Sequence, residues 1–255
     1  MCGRYELHAN PAAIALAFGL AWPPDIAPRY NIAPTQQVPI VRVNAHGERE
    51  LAQVRWGLVP RWAKNPSIGA RMINARAETV ATKPAFRIAF QRHRCLLPAD
   101  GFYEWQARAD GSKQPVHIGM KDASVFGLAG LYERWLTPEG EPLDTCTILT
   151  TEANALLRRL HDRMPVIVPR EAYEAWLDPA TPDVAGLLVP YDASAMTFRP
   201  VATRVNSVQN DDAACIEPIS ASQADAEGGE AAEAPVQTSL EIEAESHKPA
   251  QAELF

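Results

Sequence analysis

Short strand-like apolar runs, broken by turn signals and interrupted by helices at irregular intervals, most restrict the folds open to this chain. A parallel α/β protein would alternate strand and helix regularly, and this sequence does not. VPIVRVN (38–44) and LAQVRW (51–56) read as strands around a turn at 44–47. CLLPADGFYEW (95–105) reads as strand, turn, strand. PVHIGM (115–120), SVFGLAGLYE (124–133), DTCTILT (144–150), PVIV (165–168) and AMTFRPV (195–201) are further strands. Asn10 and Pro11 form a helix cap and first-turn proline, with Gly19 as the stop. Helices are also expected over 84–93, 151–161 and 169–177. The 22 prolines against 14 glycines fit rigid loops between short elements. The reading is α+β: one domain on a curved, barrel-like, mostly antiparallel or mixed β-sheet with helices around it.

The pattern stops near residues 215–218, so the expected domain is 2–216 and 217–255 a disordered acidic tail. The net charge of −7 hides an asymmetry, because 217–255 holds nine Asp/Glu and one Lys. Residues 1–216 are therefore close to neutral, and 51–108 carries ten Lys/Arg against three acids. That basic segment is either a solvated arginine-rich surface or a binding face for a polyanion.

Cys2, Cys95, Cys146 and Cys215 are widely spaced, without a CxxC, and the six histidines are scattered. A disulfide framework, a metal site and a cofactor are not expected. No segment has the apolar length to cross a bilayer, and Arg4, Glu6 and His8 rule out a signal-peptide apolar region at the start. A cytoplasmic monomer is expected.

Position 2 carries the distinctive chemistry. Methionine before a small residue is normally removed, which leaves Cys2 with a free α-amine and a thiol on one residue. Such an amine has an ordinary pKa of about 7.7–8.0, so a useful fraction is nucleophilic near neutrality. Amine and thiol can attack one aldehyde carbon in turn, giving an imine and then a five-membered thiazolidine. An internal cysteine or a serine cannot make that ring. The alternative is a small buried hydrophobe placed there by chance.

Three later segments place polar groups in apolar settings. In RMINARAET (71–79), Asn74 and Arg76 are two apart and share a strand face. In PADGFYEW (98–105), Glu104 is the only acid in an aromatic strand, a setting that raises a carboxyl pKa and suits proton transfer. In LHDRMPVIV (160–168), His161 and Arg163 stand before a strand. Each alone is as compatible with a structural role; with Cys2 they make a set of nucleophile, acid/base and orienting groups.

MCGRY, YNIAPTQ (30–36), WGLVPRW (56–62), NARAET (74–79), PADGFYEW (98–105), LHDRMPVIV (160–168) and RVNSVQND (204–211) together resemble the SRAP family of SOS-response-associated peptidases, or abasic-site processing proteins. The resemblance covers about 2–216. It implies that Cys2 crosslinks to the ring-opened sugar aldehyde of an abasic site in single-stranded DNA, forming a thiazolidine that shields the lesion. It implies that Asn74 positions Cys2 and the sugar, that Glu104 assists ring opening and imine chemistry, and that His161 contacts the sugar and moves protons. Arg4, Arg76 and Arg163 would lie near the DNA backbone, Thr150 at the DNA or sugar, and Trp62 and Trp105 would offer stacking faces. It also implies autopeptidase removal of Met1, a lyase-type activity and a nucleoid-associated location.

The last residues, QAELF (251–255), resemble the QxxLF-type peptide that docks in the bacterial sliding clamp, with Gln251, Leu254 and Phe255 as anchors and Ala252 where leucine is usual. Two other functions stay open. One is an N-terminal-nucleophile glutamine amidotransferase, whose chains also open Met-Cys-Gly but continue into an apolar strand rather than Arg4-Tyr5. The other is a single-stranded DNA-binding adaptor that never bonds to its target.

Overall fold

A computed structural model of the chain describes residues 2–219. The acidic tail from residue 220, with Gln251, Leu254 and Phe255, lies outside the described residues.

Five strands close into a barrel. They are β3 (Gln37–Val43), β4 (Arg49–Trp56), β6 (Arg94–Ala99), β9 (Phe126–Leu136) and β10 (Pro142–Glu152). β3 pairs antiparallel with β4 and with β6, β6 with β9, and β9 with β10. The ring closes through a parallel pairing of β10 with β4, at Thr145↔Arg55 and Cys146↔Trp56. Closure leaves no unpaired sheet edge around this core. Val41, Trp56, Cys95, Leu96, Leu128, Leu131, Cys146 and Ile148 are all fully buried.

The second sheet is antiparallel, in the order β13 (Met196–Pro200), β8 (Lys113–Met120), β7 (Gly101–Ala107), β1 (Tyr5–Leu7) and β2 (Arg29–Ile32). The chain crosses from barrel to sheet between β6 and β7. Asp100 holds that corner: its Oδ2 accepts from the N–H groups of His8 (2.6 Å) and Ala9 (2.7 Å), and its own N–H donates to Glu6 O (3.0 Å). β1 is thereby fastened beside β7, which matters because Cys2 immediately precedes it.

Among the described residues three α-helices pack outside. α1 (Pro11–Phe18) starts as expected, with Asn10 accepting from Ala12 N, and ends at Gly19 with φ 66°. Its Phe18 stacks on Tyr173 at 5.3 Å. α2 (Arg87–Arg92) is a shorter piece of the helix expected over 84–93.

Two expectations need correction. No helix spans 151–161. β10 runs on to Glu152, which pairs with Arg163 of β11 (Arg163–Pro165), so the chain must reverse within that interval. Asn154 turns it, accepting from Leu157 N (3.0 Å) and donating to Tyr191 O (2.8 Å), and only a 3-10 turn at Leu157–Arg159 forms. The expected helix over 169–177 is likewise a 3-10 turn, Arg170–Ala172, followed by α3 (Tyr173–Leu177). The expected strand 165–168 is shared: β11 pairs with β10, and β12 (Ile167–Val168) with β9. Among the described residues no helix is long and apolar enough to cross a membrane.

Candidate active site

β10 organises the site. On one side of its C-terminal half lies the short parallel strand β5 (Asn74–Arg76), in register Ile148↔Asn74 and Thr150↔Arg76. On the other lies β11, in register Thr150↔Pro165 and Glu152↔Arg163. One strand therefore carries both the Asn74 segment and the His161–Arg163 segment. The start of the chain approaches from the second sheet, where Tyr103 N donates to Arg4 O (3.0 Å) and extends the β1–β7 ladder towards Glu104.

These elements bring Cys2, Asn74, Glu104 and His161 together. Asn74 Nδ2 donates to the Cys2 carbonyl oxygen at 2.8 Å. Among the described residues the Asn74 Oδ1 atom is buried without a hydrogen-bond partner. A buried acceptor left unmatched costs about 1–3 kcal/mol, and this one is open to a donor from water or a bound molecule. Cys2 is fully buried. Burial first, and the neighbouring Glu104 charge second, push its thiol up to about 12, so it is held as a neutral S–H.

Glu104, on β7 between Tyr103 and Trp105, is 6% exposed. Burial raises its pKa, while the charge of the chain's amino terminus and then His161 pull the other way. A carboxyl that keeps its proton to higher pH than in the unfolded chain stabilises the fold fully below the unfolded value. That contribution is lost as pH rises through the folded value. Glu104→Gln is therefore expected to melt above wild type, by a margin that widens as pH rises above the ordinary carboxyl value of about 4.3. Parallel melting curves across that range would contradict the burial argument.

A second cluster holds Arg4 and Trp105. Arg4 Nη1 donates to Asn31 Oδ1 (2.7 Å) and to Val205 O (2.8 Å), and its guanidinium lies 5.6 Å from the Trp105 ring centre. Trp105 Nε1 donates to Asn206 Oδ1 (2.7 Å). Behind them Asn31 is fully buried. Its Nδ2 donates to the carbonyls of Val205 (3.2 Å), Ser207 (2.9 Å) and Asn210 (2.6 Å). Asp211 accepts from the backbone N–H groups of Tyr30 and Asn31 and from Arg29. The motifs YNIAPTQ and RVNSVQND are thus two halves of one clasp that fixes Arg4. Asn31→Ala, which orphans these carbonyls, is expected to cost about 3 kcal/mol in urea unfolding. A loss under about 0.5 kcal/mol would show the clasp to be unimportant.

The other expected residues divide. Thr150 is fully buried, its Oγ1 3.4 Å from Arg163 Nη2. Arg163 is bound through Nη1 to Glu78 Oε1 (2.5 Å) and through Nη2 to Glu78 Oε2 (3.0 Å) and Thr150 O (2.5 Å). Arg76 is exposed on β5. Trp62 is 61% exposed in the loop after β4, whereas Trp56 is core. A separate surface cavity on the barrel wall is lined by Arg42, Arg61, His93, Tyr132, Arg134 and their neighbours. Its arginines are matched by Glu50, Glu133 and Asp144 at 2.6–2.7 Å, and it includes none of the candidate residues. Among the described residues no cluster of three or more His, Cys, Asp or Glu could hold a metal ion.

Sequence reasoning gave no role to Asn31, Asp211, Glu78 or the buried Glu6–His117 pair (2.7 Å). The first three lie inside motifs that were legible as motifs. Glu6 and His117 are far apart in the chain, and only the strand register joins them.

A family profile described as SOS response associated peptidase (SRAP) matches residues 1–208. The abasic site processing protein YoqW of Bacillus subtilis (strain 168) is 44% identical over 223 residues, covering 85% of this chain and 99% of that protein. The abasic site processing protein HMCES of Gallus gallus is 36% identical over 226 residues, covering 75% of this chain and 66% of that protein. A crystal structure of a protein from Bacteroides thetaiotaomicron superposes with a TM-score of 0.75 at 28% identity, covering 86% of this chain and all of that one.

Proposed function

The chain belongs to the SOS response associated peptidase (SRAP) family, and from that premise we propose that Cys2, once Met1 is removed, bonds covalently to abasic sites in single-stranded DNA. The observation that carries this reading is the Asn74 amide bonded to the Cys2 carbonyl beside the buried Glu104 carboxyl. An N-terminal residue is pinned by its own backbone next to a proton donor, which is what an amine-plus-thiol reaction on one carbon requires.

The ring-opened sugar presents an aldehyde. The α-amine nitrogen attacks its carbon, and the oxygen leaves as water once protonated, giving an imine. Glu104, whose pKa burial raises, is placed to deliver that proton. The Cys2 sulfur then bonds to the imine carbon while the thiol proton passes to nitrogen, closing the thiazolidine. A neutral thiol suffices for that step, so the raised thiol pKa does not impede it. Asn74 Oδ1 offers an acceptor for a sugar hydroxyl, and His161 takes part in proton transfer at the sugar. Arg4, Arg76 and the exposed face of Trp62 provide phosphate and base contacts. Removal of Met1, by the chain itself or by an aminopeptidase, is the peptidase step that frees the amine.

The test mixes the processed protein with single-stranded DNA containing one abasic site and resolves the products on a denaturing gel. A shifted covalent band is expected, absent with intact DNA. No band from correctly processed wild type would refute the proposal.

A further inference from the structure

We propose that Glu78, acting through Arg163, is a positioning residue that holds His161 in the tautomer with its proton on Nε2. The proposal deepens the reading of the site given above and rests on it only for the rate measurement below.

Two neighbours compete for His161 Nδ1. The backbone N–H of Arg163 donates to it at 2.9 Å, and the carboxylate of Asp162 lies 2.7 Å away. The two contacts demand opposite states of one atom. A backbone N–H always carries its proton, so Nδ1 facing it must be a bare acceptor and the ring proton must sit on Nε2. A carboxylate accepts only, so Nδ1 facing Asp162 must carry the proton itself. The position of the Arg163 backbone decides between them.

That position is set by the pairing of Arg163 with Glu152 of β10 and by the grip of the Arg163 side chain. The guanidinium grips both oxygens of Glu78 and the carbonyl oxygen of Thr150. Its side chain is 13% exposed, against 47% for Glu78 and 83% for Asp162. The fork-to-fork geometry fixes direction as well as distance. Glu78 follows β5, whose first residue is Asn74, so the ion pair ties the segment that holds Cys2 to the segment that carries His161, across β10. The exposed competitor is Asp162, and the anchored one is Arg163. Burial and the bidentate pair favour the anchored partner.

The same pair bears on DNA binding. A carboxylate matched to Arg163 competes with any phosphate for the same guanidinium. If Glu78 served only to screen Arg163 from phosphate, removing it would tighten binding and leave the reaction rate alone. If it positions His161, removing it slows the reaction and leaves binding alone.

Two readouts separate these outcomes, using the full chain as wild type, Glu78→Ala and Glu78→Gln. The first is a long-range nitrogen–proton correlation spectrum of histidine-labelled free protein at about pH 8, above the ordinary imidazole range. Wild-type His161 is expected to show the Nε2–H pattern, Glu78→Ala to shift towards Nδ1–H, and Glu78→Gln, which keeps one acceptor, to lie between. The second is crosslinking rate against DNA concentration. Glu78→Ala is expected to lower the saturating rate about tenfold, with the half-saturating concentration unchanged and partial rescue in Glu78→Gln. An unchanged His161 pattern in Glu78→Ala, or tighter half-saturation at full rate, overturns the proposal. Failure of wild type to crosslink at all would sink the function, while the tautomer result would still decide this inference.

Discussion

Cys2→Ala is expected to abolish the covalent band on a denaturing gel while leaving retention of single-stranded DNA on a native gel nearly unchanged. The variant keeps its α-amine, so it still forms an imine with the sugar aldehyde, but without sulfur the imine cannot close and hydrolyses when the protein unfolds. Adding borohydride before denaturation is expected to restore a band for Cys2→Ala, because reduction fixes the carbon–nitrogen bond. Cys2→Ser is expected to give at most a weak band, since an oxazolidine reopens far more readily than a thiazolidine. The four lanes together assign the two bonds to two different atoms of one residue. A non-covalent adaptor predicts no difference between wild type and Cys2→Ala in any lane. Glutaminase activity in wild type, lost in Cys2→Ala, would favour the amidotransferase alternative instead.

The second large effect is on stability. Gly101 opens β7 opposite Glu6 of β1. A Cβ placed there would meet His117 Nε2 at 2.3 Å and Glu6 Oε1 at 2.8 Å. Those two atoms are themselves hydrogen-bonded at 2.7 Å, and Glu6 Oε2 lies 2.9 Å from His8 Nδ1. Burial alone would raise the Glu6 pKa, but its bonds to His117 and His8 outweigh it and hold the carboxyl below the usual range. Gly101→Ala must part this pair or push β1 away from β7. Breaking a buried pair costs about 3–5 kcal/mol, so urea unfolding of Gly101→Ala is expected to show a loss in that range or no folded protein. Gly186→Ala, where a Cβ meets nothing within 4 Å, is expected to stay within about 0.5 kcal/mol. Equal unfolding midpoints for Gly101→Ala and wild type would contradict the packing around Glu6.

The longer strands of both sheets were legible because they have local signatures: apolar residues in VPIVRVN, a turn at 44–47, an aromatic run at 101–105. The two strands that escaped notice, β1 and β2, are only three and four residues long. Nothing in so short a window separates a strand from a loop; β1 forms because β7 offers it an edge, and β2 pairs in turn with β1. The missing helix over 151–161 is the same lesson reversed. ANALLRRL has good helix formers, but pairing of Glu152 with Arg163 leaves no room for them to coil.

The site divides in the same way. Asn74 and Glu104 were legible as polar residues in apolar strands, and their placement beside Cys2 follows from strand register. The partners of Arg4 and Arg163 were not legible. The structure engages them with Asn31 and Val205 in one case and with Glu78 and Thr150 in the other, all but Thr150 far from them in the chain. Charge in a sequence shows what a side chain can bind, and only the fold shows what already occupies it.

The most direct test of the central claim is the mass of the N-terminal peptide after reaction. Wild-type protein is crosslinked to single-stranded DNA carrying one abasic site, digested with trypsin and nuclease, and alkylated with a thiol reagent before mass spectrometry. The account predicts that the peptide Cys2-Gly3-Arg4 carries the sugar remnant with loss of one water and resists alkylation, because nitrogen and sulfur are both bonded to the sugar carbon. An adduct whose thiol still alkylates, or one found on a lysine elsewhere in the chain, would contradict it.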